Sequence, residues 1–515
     1  MNEQERIEKY VSVLPSLRQK KVQRESFNVF IHYGLNTFTG KEWGNGKVDP
    51  KVFNPTEQDT DQWIRTVKAA GAKGVVLTCK HHDGFCLWPT ETTPYNISAT
   101  PYKDGKGDVV KEVSDSCRKY GIKFGVYLSP WDRNHQDYST PQYNDIYCQQ
   151  LTELLTNYGE VYCVWFDGAC GAYMDGKEKQ VYDWERYFAL IRKFAPMACV
   201  SNCGPDIRWV GNEGGFARES EWNVVPQFAY DIQTIEANSQ QADDSAFAKK
   251  GADVVFSDLG SRKFLAKYEN FMWYPAEVNV SVRPGWFYHK SQDAAVRSLE
   301  NLLHIYYTSV GGNSLFLLNL PPDRRGLIHE NDVKAAEALG RHIADSEKDL
   351  IDISSITAPE CENGSQIENV LKYEYDEKTY DPISYYTPKD EADLYSVTIK
   401  LKSKEKVNRV RIVENVAFSQ RVEAFEIYAS AGGKMKKLYE GTTIGYNRIA
   451  VFKPVVTDEI KIVFTQVRKK PYIEFIGVYR DNGVILKKPK FYKLKQWVHR
   501  LNYKIFISRE NKQYT

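Results

Sequence analysis

Several features that would place the chain in a common class are missing from its sequence. No apolar run is long enough to cross a bilayer, which argues against membrane insertion. The opening residues, Met1-Asn-Glu-Gln-Glu-Arg, are charged and contain no hydrophobic region, so no signal peptide is visible. A chain beginning after a removed signal would read the same, which leaves the compartment open between cytoplasmic and periplasmic or secreted. Neither sign of charge dominates: 69 Lys and Arg face 67 Asp and Glu, a formal net charge of +2, and nothing there points to nucleic acid or a membrane surface. The nine cysteines are an odd number with no Cys-x-x-Cys pair, so neither a disulfide framework nor a zinc site is indicated. No Gly-x-Gly-x-x-Gly follows the first apolar segment, which disfavours a dinucleotide-binding open sheet. No Gly-x-Ser-x-Gly elbow supplies a serine nucleophile.

What is present is a rhythm. After a polar, partly helical leader over residues 1–25, short apolar runs predict strands at Phe27–Gly34, Gly74–Lys80, Ile122–Leu128, Val161–Phe166, Ala198–Asn202 and Asn313–Asn319. Between them, helical spacing runs over 61–70, 109–120, 143–158, 182–194 and 291–309, several of these stopping at a glycine. Strands six and seven are expected somewhere in 216–275. Buried strands alternating with helices over this length predict a (β/α)₈ TIM-like barrel, spanning 1–345. Beyond Ser346 the texture changes: runs such as 396–401, 409–413, 424–428 and 459–464 alternate apolar with polar residues, predicting an antiparallel β-sandwich over 346–482. The sandwich reads as packing with some contribution to one wall of a cleft. The basic stretch 483–515 reads as an exposed, poorly ordered tail.

A barrel gathers its strand ends into one crater, so the residues there are the ones to weigh: His32, His81, His82, Tyr127, Trp131, Asp167 and Glu213. An Asp after a strand often caps the next helix, and a lone His is often a satisfied structural residue. Three of nine His at two strand ends favour a polar pocket instead. His81-His82-Asp83 beside His32 suggests a metal site, but adjacent His side chains point apart and no His-x-x-x-His supports one. Carboxylates are therefore the bond-breaking candidates, and no metal or other cofactor is expected.

Five segments in order, Phe30-Ile-His-Tyr-Gly34, Glu42-Trp43, Lys80-His-His-Asp-Gly-Phe85, Gly125-Val-Tyr127 and Val164-Trp-Phe-Asp-Gly168, resemble the motifs of α-L-fucosidases of glycoside hydrolase family 29. The similarity extends over most of residues 20–345. Segments 206–213 and 282–288 further resemble the branch acting on α-1,3/1,4-linked fucose, and 420–425 with 441–446 resemble its β-sandwich. The resemblance implies an exo-acting, retaining glycosidase on fucosylated oligosaccharides, with Asp167 as nucleophile. It favours Glu213 as acid/base. Glu219, Glu221 and Glu277 are its rivals, and Trp209, close to Glu213 in sequence, is expected to help raise its pKa by desolvation. It also implies that His32, Glu42, Trp43, His81, His82, Tyr127, Trp165 and Trp286 line a fucose pocket. Tyr33 stands where many relatives carry Trp. The rival functions are a non-catalytic glycan-binding protein and a metal-dependent hydrolase; the oligomeric state is not legible.

Overall fold

A computed structural model describes residues 2–169, 178–227, 258–362 and 364–486. Most of the basic tail, Cys170 and much of the 216–275 region lie outside these residues. Eight parallel strands form the first sheet: β1 (Phe27–Ile31), β2 (Gly74–Lys80), β3 (Lys123–Leu128), β4 (Val161–Phe166), β5 (Cys199–Asn202), β6 (Arg208–Trp209), β9 (Ala276–Ser281) and β10 (Leu315–Asn319). They pair in the order β5-β4-β3-β2-β1-β10-β9-β6, and a parallel bridge from Ser201 to Ile207 brings the two ends together, so the sheet closes as a barrel.

Alternation along each strand separates two apolar layers. Phe30, Val76, Tyr127, Cys163, Trp165, Cys199 and Leu317 pack together inside the barrel. Their chain neighbours Val29, Ile31, Val75, Leu77, Val126, Val164, Phe166 and Leu318 instead pack against the helices. A barrel strand is therefore apolar on both faces, which is why it reads as a continuous apolar run.

The expected location of strands six and seven is wrong. Strand six is only Arg208–Trp209, within a glycine-rich stretch over 204–215, and strand seven is Ala276–Ser281; two residues are too few to carry a periodic signal. Val224–Pro226 (β7) and Phe271–Trp273 (β8) form a separate antiparallel pair. The expected helix over 291–309 is also shorter, Leu299–Ser309, because Ser298 caps it by accepting from the Asn301 N–H. The second sheet comprises β11 (Ile353–Thr357), β12 (Tyr395–Glu414), β13 (Val422–Ala431), β14 (Lys434–Gly441), β15 (Arg448–Val467) and β16 (Ile473–Arg480), all paired antiparallel. This is the β-sandwich, with its own core of Val397, Ile412, Phe425, Ile462 and Val478 among others. Runs 396–401 and 409–413 belong to one strand; the polar stretch 402–406, charged at all but Ser403, interrupts the alternation, and the register shifts there.

The sandwich grips the barrel through Asn313, a non-glycine residue in the left-handed region at φ 70°. Its Oδ1 accepts from the Tyr446 N–H at 3.0 Å, and its Nδ2 donates to the Glu221 carbonyl at 2.7 Å. The helix Glu330–Lys348 crosses the helix Thr60–Ala69 at Gly340, where a Cβ would collide with the Ala69 carbonyl. Gly340→Ala is expected to destabilise the fold by about 1–3 kcal/mol through forced separation of the two helices. Urea unfolding checks this; an unchanged midpoint would contradict the close packing.

Candidate active site

The carboxyl ends of the barrel strands deliver the site. His32 follows β1, His81 and His82 follow β2, Tyr127 lies in β3 with Ser129 and Trp131 just beyond, Asp167 follows β4, and Asn319 ends β10. Parallel register keeps them level: Tyr127 pairs with Thr78 and Trp165, and Asn319 with Phe30.

Asp167 is held by two donors. Its Oδ2 accepts from the Tyr127 hydroxyl at 3.0 Å and its Oδ1 from the Ala169 N–H at 2.8 Å, while 27% of the side chain stays open to solvent. His82 Nε2 stands 3.8 Å from the same Oδ2, beyond hydrogen-bonding range. Rings wall the crater. Tyr127 stacks on Trp165 at 5.5 Å, Trp43 and Trp131 flank His82 at 5.7 and 5.0 Å, and Trp286 tilts over His32 at 5.0 Å. His32 and His81 both meet Phe287, at 5.5 and 5.0 Å.

Glu213 sits on the loop after β6. Asn212 pins that loop, its Oδ1 accepting from Gly214 and Phe216 N–H groups at 3.0 and 3.1 Å. Gly215 turns at φ +79°, and a side chain there would press on Ile305, so the turn requires glycine. The carboxyl accepts from the Trp286 indole N–H at 3.1 Å. Glu213 keeps an exposed face at the crater mouth. Even so, the protein crowded around it, and then the like charges of Asp167 and Glu42, push it up to about 7 against the lowering effect of Trp286. The open face tempers the crowding, but the two like charges act in the same upward direction. Asp167 and Glu213 thus belong to one electrostatic neighbourhood.

Residues 1–348 match the model of the α-L-fucosidase family. The chain belongs to that family, glycoside hydrolase family 29. It is a glycoside hydrolase. It is 37% identical to α-L-fucosidase 1 of Arabidopsis thaliana over 479 residues, 91% of this chain and 88% of that protein. Among solved structures, a family 29 fucosidase of Ruminococcus gnavus in complex with fucose superposes with a TM-score of 0.79 at 28% identity, covering 92% of this chain and 96% of that one. A Bacteroides ovatus protein described as a candidate α-L-fucosidase superposes with a TM-score of 0.81 at 41% identity, covering 95% and 78%.

Within this α-L-fucosidase family member the rival glutamates have other surroundings. Burial would raise the Glu221 carboxyl, but Arg208 and Arg218, the latter at 2.9 Å, hold it below the ordinary range. Glu277, on β9, accepts from the Trp165 indole N–H at 2.8 Å, and burial pushes it up to about 7. Glu219 is exposed, and its carbonyl accepts from Arg448 at 3.4 Å. The indole bonded to Glu213 is that of Trp286; Trp209 instead donates to Asn279 at 2.8 Å. Glu42 reaches the loop over the crater, accepting from the Trp286 N–H at 2.8 Å and meeting His289 Nε2 at 2.6 Å. Tyr33 is buried against Trp63 and Phe53 and donates to Gln58, so it belongs to the core. Among the described residues no three His, Cys, Asp or Glu side chains group as a metal site.

Sequence reasoning passed over Asn319, Phe287, His289 and the buried pair Lys80–Asp132. Lys80 Nζ stands 3.3 Å from Asp132 Oδ2 and donates to Tyr143 and Gln150 at 2.9 and 2.8 Å. Asn319 carried the strand-end signal that singled out His32 and Asp167; His289 carried no comparable local signal.

Trp286→Phe removes a donor that favours the ionised Glu213. The carboxyl is therefore expected to titrate higher, by roughly one unit, the worth of a charge-assisted hydrogen bond. Carbon-13 titration of labelled glutamate, assigned with Glu213→Gln, checks this. A fall or no change would refute the assigned contact.

Proposed function

We propose that the crater is the active site of an exo-acting, retaining α-L-fucosidase with Asp167 as nucleophile and Glu213 as acid/base. The observation that carries this reading is the contrast between the two carboxyls. Asp167 is held in place by a hydroxyl and an amide with an open edge. Glu213 is pushed up to about 7 and can hold a proton near neutrality.

In the first step Asp167 attacks the anomeric carbon while the bond to the departing oxygen breaks, and Glu213 delivers its proton to that oxygen. The product is a fucosyl ester of Asp167. In the second step Glu213, now ionised, takes a proton from water as that water attacks the same carbon. The ester breaks and fucose leaves with its configuration retained. His32, Glu42, His81, His82 and Tyr127 suit the ring hydroxyls, while Trp43, Trp165 and Trp286 offer faces for the ring and its methyl group. The mechanism asks for no cofactor. The substrate read from the branch motifs is terminal α-1,3- or α-1,4-linked L-fucose on an oligosaccharide or glycoconjugate. It is supported by the meeting of segments 206–213 and 282–288 at the Trp286–Glu213 hydrogen bond.

Asp167→Asn is expected to lower kcat on an aryl fucoside on the order of 10⁴-fold. Glu213→Gln is expected to lower turnover of an oligosaccharide by about 10²–10⁴-fold. Near wild-type turnover in Asp167→Asn would end the assignment. Because Glu213 must be protonated to act first, kcat/KM should fall as pH rises through about 7, and that limb should vanish in Glu213→Gln. Release of fucose from a panel of oligosaccharides differing only in linkage tests the branch: equal rates on α-1,2 and α-1,3/1,4 linkages would reject it.

A further inference from the structure

Three imidazoles face the crater, and what each offers a ligand depends on which ring nitrogen carries hydrogen. The residues behind them supply the answer. Asn319 is fully buried, and its amide orientation is decided by two backbone groups of unambiguous polarity. The Trp286 carbonyl, 2.8 Å away, can only accept, so the atom facing it is Nδ2; the His32 N–H, 3.2 Å away, can only donate, so the atom facing it is Oδ1. That same Oδ1 lies 2.9 Å from His32 Nδ1, which must therefore carry a hydrogen. Nδ2 also donates to Ser281 Oγ at 2.9 Å, so both of its hydrogens are committed.

Ser129 decides His82 by the same logic. Its one hydroxyl hydrogen goes to the Trp131 carbonyl at 2.8 Å, so its oxygen accepts from His82 Nδ1, also at 2.8 Å. The 3.8 Å gap between His82 Nε2 and Asp167 agrees, since a bare nitrogen has no hydrogen to draw the carboxylate closer. His81 runs the other way: Asn36 Nδ2 donates to the Glu42 carbonyl at 3.1 Å and faces His81 Nδ1 at 3.5 Å, leaving the hydrogen on Nε2.

We propose that Asn319 and Ser129 are positioning residues that lock His32 and His82 as Nδ1–H tautomers. Both rings then present an Nε2 lone pair to the crater and require hydroxyl donors from the sugar. Burial supports neutral rings, pushing His32 down to about 3 and His82 below its ordinary range. The identity of the ligand rests on the proposed function; the tautomers belong to the free protein.

Two-bond nitrogen–proton spectra of the full chain labelled with ¹⁵N-histidine read the tautomers directly, with His32→Asn and His82→Asn for assignment. The expected result at pH 7 is a protonated Nδ1 and a bare Nε2 for both rings. Ser129→Ala should blur the His82 pattern alone, raise KM for an aryl fucoside roughly 5–10-fold, the worth of one hydrogen bond, and change kcat less. Ser129→Thr, which restores the hydroxyl, should restore both spectrum and KM. Either ring found as Nε2–H, or exchanging freely between forms, in the unaltered protein would overturn the proposal. Fucose that leaves all three rings unshifted would instead strike the proposed function, with the tautomers still readable.

Discussion

Parallel hydrogen bonding around the barrel is the constraint on which the rest depends. Side chains alternate in and out along a strand, so pairing Phe30 with Asn319 and Tyr127 with Trp165 fixes which residues face inward and at what height. A slip of one position in β9 would turn Glu277 away from the Trp165 indole and place Val278 there instead. Closure through the Ser201–Ile207 bridge then brings residues as distant in sequence as His32, Asp167 and Asn319 to one rim. The chemistry of the site follows from geometry that no single motif contains.

The two carboxyls of the crater differ because their supports differ. Asp167 rises from a strand end and meets donors supplied by the preceding, adjacent strand β3 and by its own turn. Glu213 rides on a loop after a two-residue strand and meets an indole from the loop that follows the neighbouring strand β9, with two like charges nearby. Buried polar groups hold the frame around them. Lys80 and Asp132 tie the ends of β2 and β3, while Asn319 joins His32 to the loop bearing Trp286. Such groups are stable when buried only because each finds partners of opposite polarity. The sandwich adds to this frame from outside. Through Asn313 it holds the backbone at Glu221, whose carboxylate is clamped by Arg208, the first residue of β6.

Legibility was uneven for physical reasons. Strands apolar on both faces and helices ending at glycine stand out because local periodicity and local backbone freedom produce them. The Val161–Phe166 strand and the Val109–Tyr120 helix fall where their patterns place them. β6 did not stand out, since a pair of residues has no period. The true start of the helix at Leu299 was hidden because the preceding residues are compatible with helix, and only the Ser298 cap stops it. Strands β12 and β15 are longer than their alternating segments because hydrogen bonding continues through bulges where alternation lapses.

By itself, the sequence determined the alternating architecture, the strand-end set His32, His81, His82, Tyr127 and Asp167, and a family resemblance, all of which depend on residues close together in the chain. Only the tertiary structure decided which glutamate shares the surroundings of Asp167 and which is neutralised by arginines. It alone placed the partners that choose which nitrogen of His32 and His82 carries hydrogen. Those properties are set by burial and by partners up to some 290 residues away, as between His32 and Asn319, and become definite only when the barrel closes.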